Sequence, residues 1–264
     1  MDATEVNRAH WDALAAVHGQ DAYYDKDELV SGRDSLNEYE AAAVGDVTGL
    51  DVLHLQCHIG FDSISLARRG ARVTGVDFSA ASLASAAELA ERAGVALELV
   101  QADATALPST LHGRFDIVYS TIGVLGWIGD VDAWMGSVYS ALRPGGRLVL
   151  VELHPLVVMI GSLDPLVMDF PYAFDGPRTF DEPGSYADAD ADVAATATVE
   201  YAHSLGEVVT AAIGAGLRVD ALHEHMDAAR DHRGRVLAPE ADGRYRLRLG
   251  GEFLPILYTL LGSR

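Results

Sequence analysis

Between residues 51 and 153 the chain alternates short apolar runs with stretches of helical periodicity, and this alternation leaves it few ways to fold. Runs of strand length lie at 51–56, 72–76, 97–101, 115–120 and 147–153. Between them, 62–69, 80–93 and 131–142 read as helices, closed by Gly70, by Gly94 and by the Pro144-Gly145-Gly146 turn. Strands that alternate with helices make βαβ units, whose right-handed crossovers give a doubly wound, mostly parallel α/β sheet covered on both faces. Residues 155–201 break the rhythm with Pro, Gly, Asp and aromatic residues. It returns with a helix at 203–215, a strand at 217–225 and a last strand at 253–261, seven strands in all. Two helices, 6–18 and 35–44, precede the sheet.

The 264 residues suit one α/β domain with an insertion: a lid at 1–44, a core at 45–153, a cover at 155–201 and completion of the sheet at 203–264. With 19 basic and 39 acidic residues the formal charge is −20, which repels a phosphate backbone and argues against a nucleic-acid partner. No apolar run approaches the roughly 20 residues of a membrane span, and the acidic start lacks the features of a secretory signal. Cys57 is the only cysteine, so no intrachain disulfide forms and a cytoplasmic location is expected. The Asp-rich run at 188–192 reads as a solvated loop or cap.

In open α/β sheets ligands bind beyond the carboxyl ends of the strands, where the strand order reverses. The first strand runs into Gln56-Cys57-His58-Ile59-Gly60, where Gly60 lets the chain turn tightly and a ligand approach the backbone. The second ends at Asp77, about 20 residues on, the spacing at which a carboxylate accepts from a ribose hydroxyl pair. The third runs into Asp103, placed to accept from an adenine amino group. Each acid alone also suits a helix cap or loop, but their recurrence at consecutive strand ends favours adenosine.

Residues 52–79, Ala102-Asp103-Ala104, Phe115-Asp116-Ile117-Val118 and the segment from Leu142 through Pro144-Gly145-Gly146 to Leu150 together resemble the class I S-adenosylmethionine-dependent methyltransferases. The resemblance implies a Rossmann-like sheet of seven strands with helices on both faces and the last strand antiparallel. It implies S-adenosyl-L-methionine as cofactor, with the loop at Gln56, His58 and Gly60 around its methionine and ribose. Asp77 then takes the ribose, Phe78 lies against the adenine, Asp103 and Ala104 contact it, and Ser120 lies near the methionyl part. Two departures stand out: His54 replaces the usual first-strand acid, and Gln56 and His58 replace the first two loop glycines. A dinucleotide-dependent oxidoreductase fits less well, because the glycine that admits a pyrophosphate is missing.

Methyl transfer from a sulfonium needs alignment above all, worth about 7–11 kcal/mol, and an O or N acceptor also needs a base. His154, after the fifth strand, is the expected base. Tyr24, beside Tyr23 in the lid, and Trp127, after the fourth strand, are expected with His154 in the substrate pocket, under the aromatic cover 155–201. His223, Glu224 and His225 cannot form a compact triad on a strand, whose faces alternate, so no metal is expected. His10 and His18, eight apart on one face of the first helix, read as packing or solvent contacts. The expected activity is methylation of a small molecule, with a bacterial specialised metabolite as one class of acceptor; the alternative is a regulatory or scaffold protein that binds the cofactor without catalysis. A homodimer is left open.

Overall fold

In the computed structural model, residues 2–18, 23–188, 190–232 and 237–264 are described. Three helices open the chain, α1 (Ala3–Val17), α2 (Lys26–Ser31) and α3 (Glu38–Val44). The alternation follows as β1 (Asp51–Leu55), α4 (Phe61–Arg68), β2 (Arg72–Asp77), α5 (Ala80–Ala93), β3 (Leu97–Gln101), β4 (Phe115–Thr121), α6 (Val131–Ala141) and β5 (Leu142–Leu153). The insertion holds a short α7 (Pro155–Val158) and two hairpins, β6 (Ile160–Leu163) with β7 (Leu166–Met168) and β8 (Arg178–Asp181) with β9 (Ala197–Glu200). Helix α8 (Leu205–Gly214), β10 (Arg218–His225), the hairpin β11 (Leu247–Leu249) and β12 (Glu252–Leu254), and β13 (Leu257–Ser263) complete the chain.

The main sheet has the order β10-β13-β5-β4-β1-β2-β3, and β13 runs antiparallel to both its neighbours. This is the expected seven-stranded Rossmann-like sheet. Its order reverses between β1 and β4, and their carboxyl ends open the crevice that the topology reserves for ligands. Successive residues of a buried parallel strand serve opposite faces. Leu53 joins the core that holds Trp134 and Val138 of α6 and Val208 of α8. Val52 joins the other, with Val44 of α3 and Leu66 of α4.

Sequence and structure part in several places, among them the unexpected α2 and the start of β5 at Leu142 rather than 147. The last strand begins at Leu257 rather than 253: Pro255, which has no N–H to give a ladder, separates it from the hairpin that takes Phe253. The insertion, read as irregular, contains strands because β8 and β9 pair only with each other and leave no sheet-long signal. The first helix starts at Ala3, capped by Asp2, three residues earlier than the apolar periodicity shows. In the Asp-rich run Ala189 lies outside the described residues; beside it the Asp188 carboxylate accepts from Asp190 N–H at 3.0 Å, a local turn.

Helix α1 ties the insertion to the sheet. Asn7 exchanges two hydrogen bonds with the Val199 backbone in β9, both at 2.8 Å. Asp12 accepts from Ser79 Oγ at 2.6 Å and Ala81 N at 3.2 Å, where α5 begins.

Candidate active site

Gln56, His58 and Gly60 all take positive φ, at 55°, 50° and 81°. The first two hold a left-handed conformation that costs a residue with a side chain about 1–2 kcal/mol, so the glycine geometry survives without the glycines. What fixes it is visible. The Gln56 amide donates to the Val124 carbonyl at 3.1 Å and accepts from Trp134 Nε1 at 3.0 Å, and the His58 N–H donates to Asp77 Oδ2 at 2.8 Å. Both polar atoms of the Gln56 side chain thus have a protein partner. At Gly60 a Cβ would sit 2.9 Å from Ala86 Cβ, so close packing of loop and helix excludes every other residue there.

Asp77 is buried and also accepts from Ser79 N–H at 2.9 Å. Burial raises its carboxyl to about 6, against the pull of the backbone N–H groups around it. Asp103 accepts from the N–H and hydroxyl of Thr105, each at 2.7 Å. Asp77, Phe78, Asp103 and Ala104 all border one cavity of about 1010 Å3, together with Gln56, His58 and Gly60. Ser120 does not. It is fully buried, with Oγ donating to the Leu55 carbonyl at 3.2 Å, so it links β4 to β1; Thr121, the next residue, reaches the cavity.

His154 is likewise corrected. Leu153 and Pro155 touch the cavity, whereas His154 points away into the protein, 2% exposed. Its Nδ1 accepts from Leu156 N–H at 3.2 Å, capping α7, and Nε2 donates to Glu224 at 2.9 Å. With both ring nitrogens engaged, it is a structural residue and not a base. Tyr24 and Trp127 do border the cavity. His225 Nε2 bonds Thr259 Oγ1 at 2.8 Å, and among the described residues no group of His, Cys, Asp and Glu could hold a metal.

The floor carries acids that the sequence reading passed over. Glu152, buried at the end of β5, accepts from the N–H groups of Gly123, Val124, Leu125 and Leu153, and so shapes the loop after β4. Its signal was a lone carboxylate in an otherwise apolar strand. Glu40 accepts from the Thr121 hydroxyl and Asn37 N–H, and Asp62 from Ser35 Oγ at 2.5 Å and from the Tyr119 hydroxyl at 3.4 Å. Burial, reinforced by Asp62, pushes Glu40 up to about 8. Above the loop, Trp11 of α1 meets His58 at 5.2 Å and Trp127 at 5.2 Å between ring centres, and His18 Nδ1 lies 3.1 Å from His58 Nε2.

These buried groups set a pH profile. Burial lowers His18 and His54 to about 3 and His232 to about 4, so between those values and 6.5 the unfolded chain binds more protons and stability rises with pH. Glu40 acts in the opposite sense: from 4.5 to about 8 the folded protein holds a proton that the unfolded chain releases. Stability is therefore expected to peak near pH 6.5 and to fall by about 1–2 kcal/mol towards pH 8. Urea midpoints at pH 5, 6.5 and 8 check this, and Glu40→Gln should flatten the alkaline limb.

Comparison with known proteins bears on this geometry. Residues 52–146, β1 through the Gly145-Gly146 turn, match a family model described as a methyltransferase domain. A demethylmenaquinone methyltransferase of Thermus thermophilus is 41% identical over 86 residues, which are 33% of this chain and 38% of that protein. A ubiquinone biosynthesis O-methyltransferase of Pseudomonas aeruginosa is 32% identical over 108 residues, 41% of this chain and 46% of that one. The chain thus spans less than half the length of these curated relatives. The crystal structure of an S-adenosylmethionine dependent methyltransferase from Mesorhizobium loti superposes with a TM-score of 0.60, covering 89% of this chain and 100% of that one at 21% identity.

Proposed function

Because residues 52–146 match a methyltransferase domain and the fold is that of a solved S-adenosylmethionine dependent methyltransferase, we propose that this chain transfers a methyl group from S-adenosylmethionine to a small-molecule acceptor. One observation carries the reading. Asp77 and Asp103, at consecutive strand ends, open onto the same cavity as the left-handed Gln56–Gly60 loop. The rim suits adenosine and not a pyrophosphate: its two carboxylates would repel phosphate, and no Lys or Arg lies among Gln56–Gly60, Asp77, Phe78 or Asp103–Thr105. Asp77 keeps acceptor capacity towards the cavity after its backbone bonds, and Gly60 borders the same cavity while its Cβ position is filled by Ala86.

When bound, the donor supplies an activated methyl on a sulfonium. The protein's part is to hold, align and exclude water. Pockets for one drug-sized ligand measure about 300–1,000 Å3, and this cavity, at about 1010 Å3, lies at the upper end of that range. Trp127 and the insertion residues Phe170, Tyr172 and Phe180 also line the cavity, which suits a partly apolar acceptor such as a ring-bearing metabolite. The names of the curated relatives, which concern quinone biosynthesis, agree with an acceptor of that kind.

Incubating the full chain with methyl-labelled S-adenosylmethionine and a bacterial small-molecule extract is expected to move label into at least one metabolite. Binding of the donor with no label transferred to any extract fraction would favour the binding-only alternative.

A further inference from the structure

Helix α1 brings His10 to the cavity wall, its ring stacked on Trp127 at 6.1 Å and 24°. Its Nδ1 lies 2.7 Å from the Ala195 carbonyl oxygen. A carbonyl only accepts, so Nδ1 carries the proton and the neutral ring keeps its lone pair on Nε2. No described residue bonds Nε2. The residue is 3% exposed and lines the cavity, and with Nδ1 held by Ala195 its Nε2 is the ring nitrogen left to meet a ligand there.

Of the other histidines lining the cavity, His54, His58 and His203 each have one protein partner, and His232 lines it as well. His54 bonds Ser63, His18 bridges His58 and Ser185, and the Nδ1 of His203 is sealed from the cavity. His10 is also held in place. The Asn7–Val199 bonds fix α1 against β9 one turn earlier, and the Ala195 contact fixes the tautomer. The charged or titratable groups that face it are the Glu182 carboxylate and the His18 ring; burial outweighs Glu182 and keeps the imidazole neutral at pH 7. A rigid, neutral imidazole with its free lone pair towards a ligand cavity is what a general base requires.

We propose that Nε2 of His10 takes the proton from the acceptor's hydroxyl or amine as that atom is methylated. The proposal rests on the methyl-transfer reading. The acceptor heteroatom bonds to the methyl carbon, the sulfonium–methyl bond breaks with its electron pair going to sulfur, and the acceptor's proton passes to Nε2. The acceptor class is then one that still carries a proton on the methylated oxygen or nitrogen.

The test uses the full chain and His10→Asn, whose amide N–H can replace Nδ1–H towards Ala195 but leaves nothing at Nε2. With S-adenosylhomocysteine bound, nitrogen NMR of histidine-labelled protein should show a ring protonated at Nδ1 and bare at Nε2, absent from the variant. Calorimetric affinity for S-adenosylhomocysteine should stay within about twofold, as expected for a residue away from the adenosine rim. With labelled donor, methylation of phenol should fall about 10²- to 10⁴-fold, whereas that of 4-nitrophenol, already ionised at the assay pH, should fall only a few-fold. A proton on Nε2 of His10, or equal losses on the two phenols, overturns the proposal. If neither phenol is methylated, the NMR result decides. Failure of the wild type to bind S-adenosylhomocysteine would instead strike the methyl-transfer reading.

Discussion

Asp77→Ala is expected to weaken S-adenosylmethionine binding at least about 100-fold, measured by isothermal titration calorimetry at pH 7.5. A hydrogen bond to a charged group contributes about 1.5–3 kcal/mol, and a ribose offers two hydroxyls to this carboxylate. The substitution also releases the His58 N–H, one of the restraints that holds a non-glycine residue at positive φ, so the loop loses order at the same stroke. Because burial raises Asp77 to about 6, the carboxylate is mostly ionised at pH 7.5. Affinity should weaken as pH falls below 6, where the group turns from acceptor to donor. An unchanged dissociation constant in the variant removes the ribose assignment.

Glu152→Ala should destabilise the fold by about 3–5 kcal/mol, read from urea denaturation at pH 6.5. Four backbone N–H groups converge on this one buried carboxylate. Each donor left without a partner costs about 1–3 kcal/mol, and the adjoining cavity lets water reach some of them, which holds the total below the sum. Glu152→Gln keeps the shape but offers a single acceptor oxygen and should fall between alanine and the wild type. The loop after β4 lines the cavity, so the alanine variant should also lose donor affinity. A loss under about 1 kcal/mol would mean that the loop holds its own shape.

The sheet was legible because β1, β2 and β4 are short and mostly apolar and glycines follow helices such as α4 and α5. Helix α5 has the span its sequence implies, from the Ser79 cap to Gly94. The adenosine rim was legible for a related reason: strand ends are fixed by the alternation, so acids that follow them must share one edge. Residues whose role depends on side-chain direction were not. His154 and Ser120 lie at the correct edge but point into the protein, and one step along the strand decides it. Trp11 and His10 reach the cavity through α1, whose seat on α5 and β9 is set by Asp12 and Asn7, contacts far apart in sequence. Glu40 and Asp62 meet from separate helices, and no spacing announces such a pair.

The most direct test of the account is where S-adenosylhomocysteine lies when the protein is crystallised with it. Its ribose hydroxyls should contact the Asp77 carboxylate and its adenine should lie beside Phe78 and Asp103, with the sulfur turned towards the chamber walled by Trp127 and the insertion. A nucleoside bound elsewhere, or turned so that its sulfur faces away from that chamber, would contradict it.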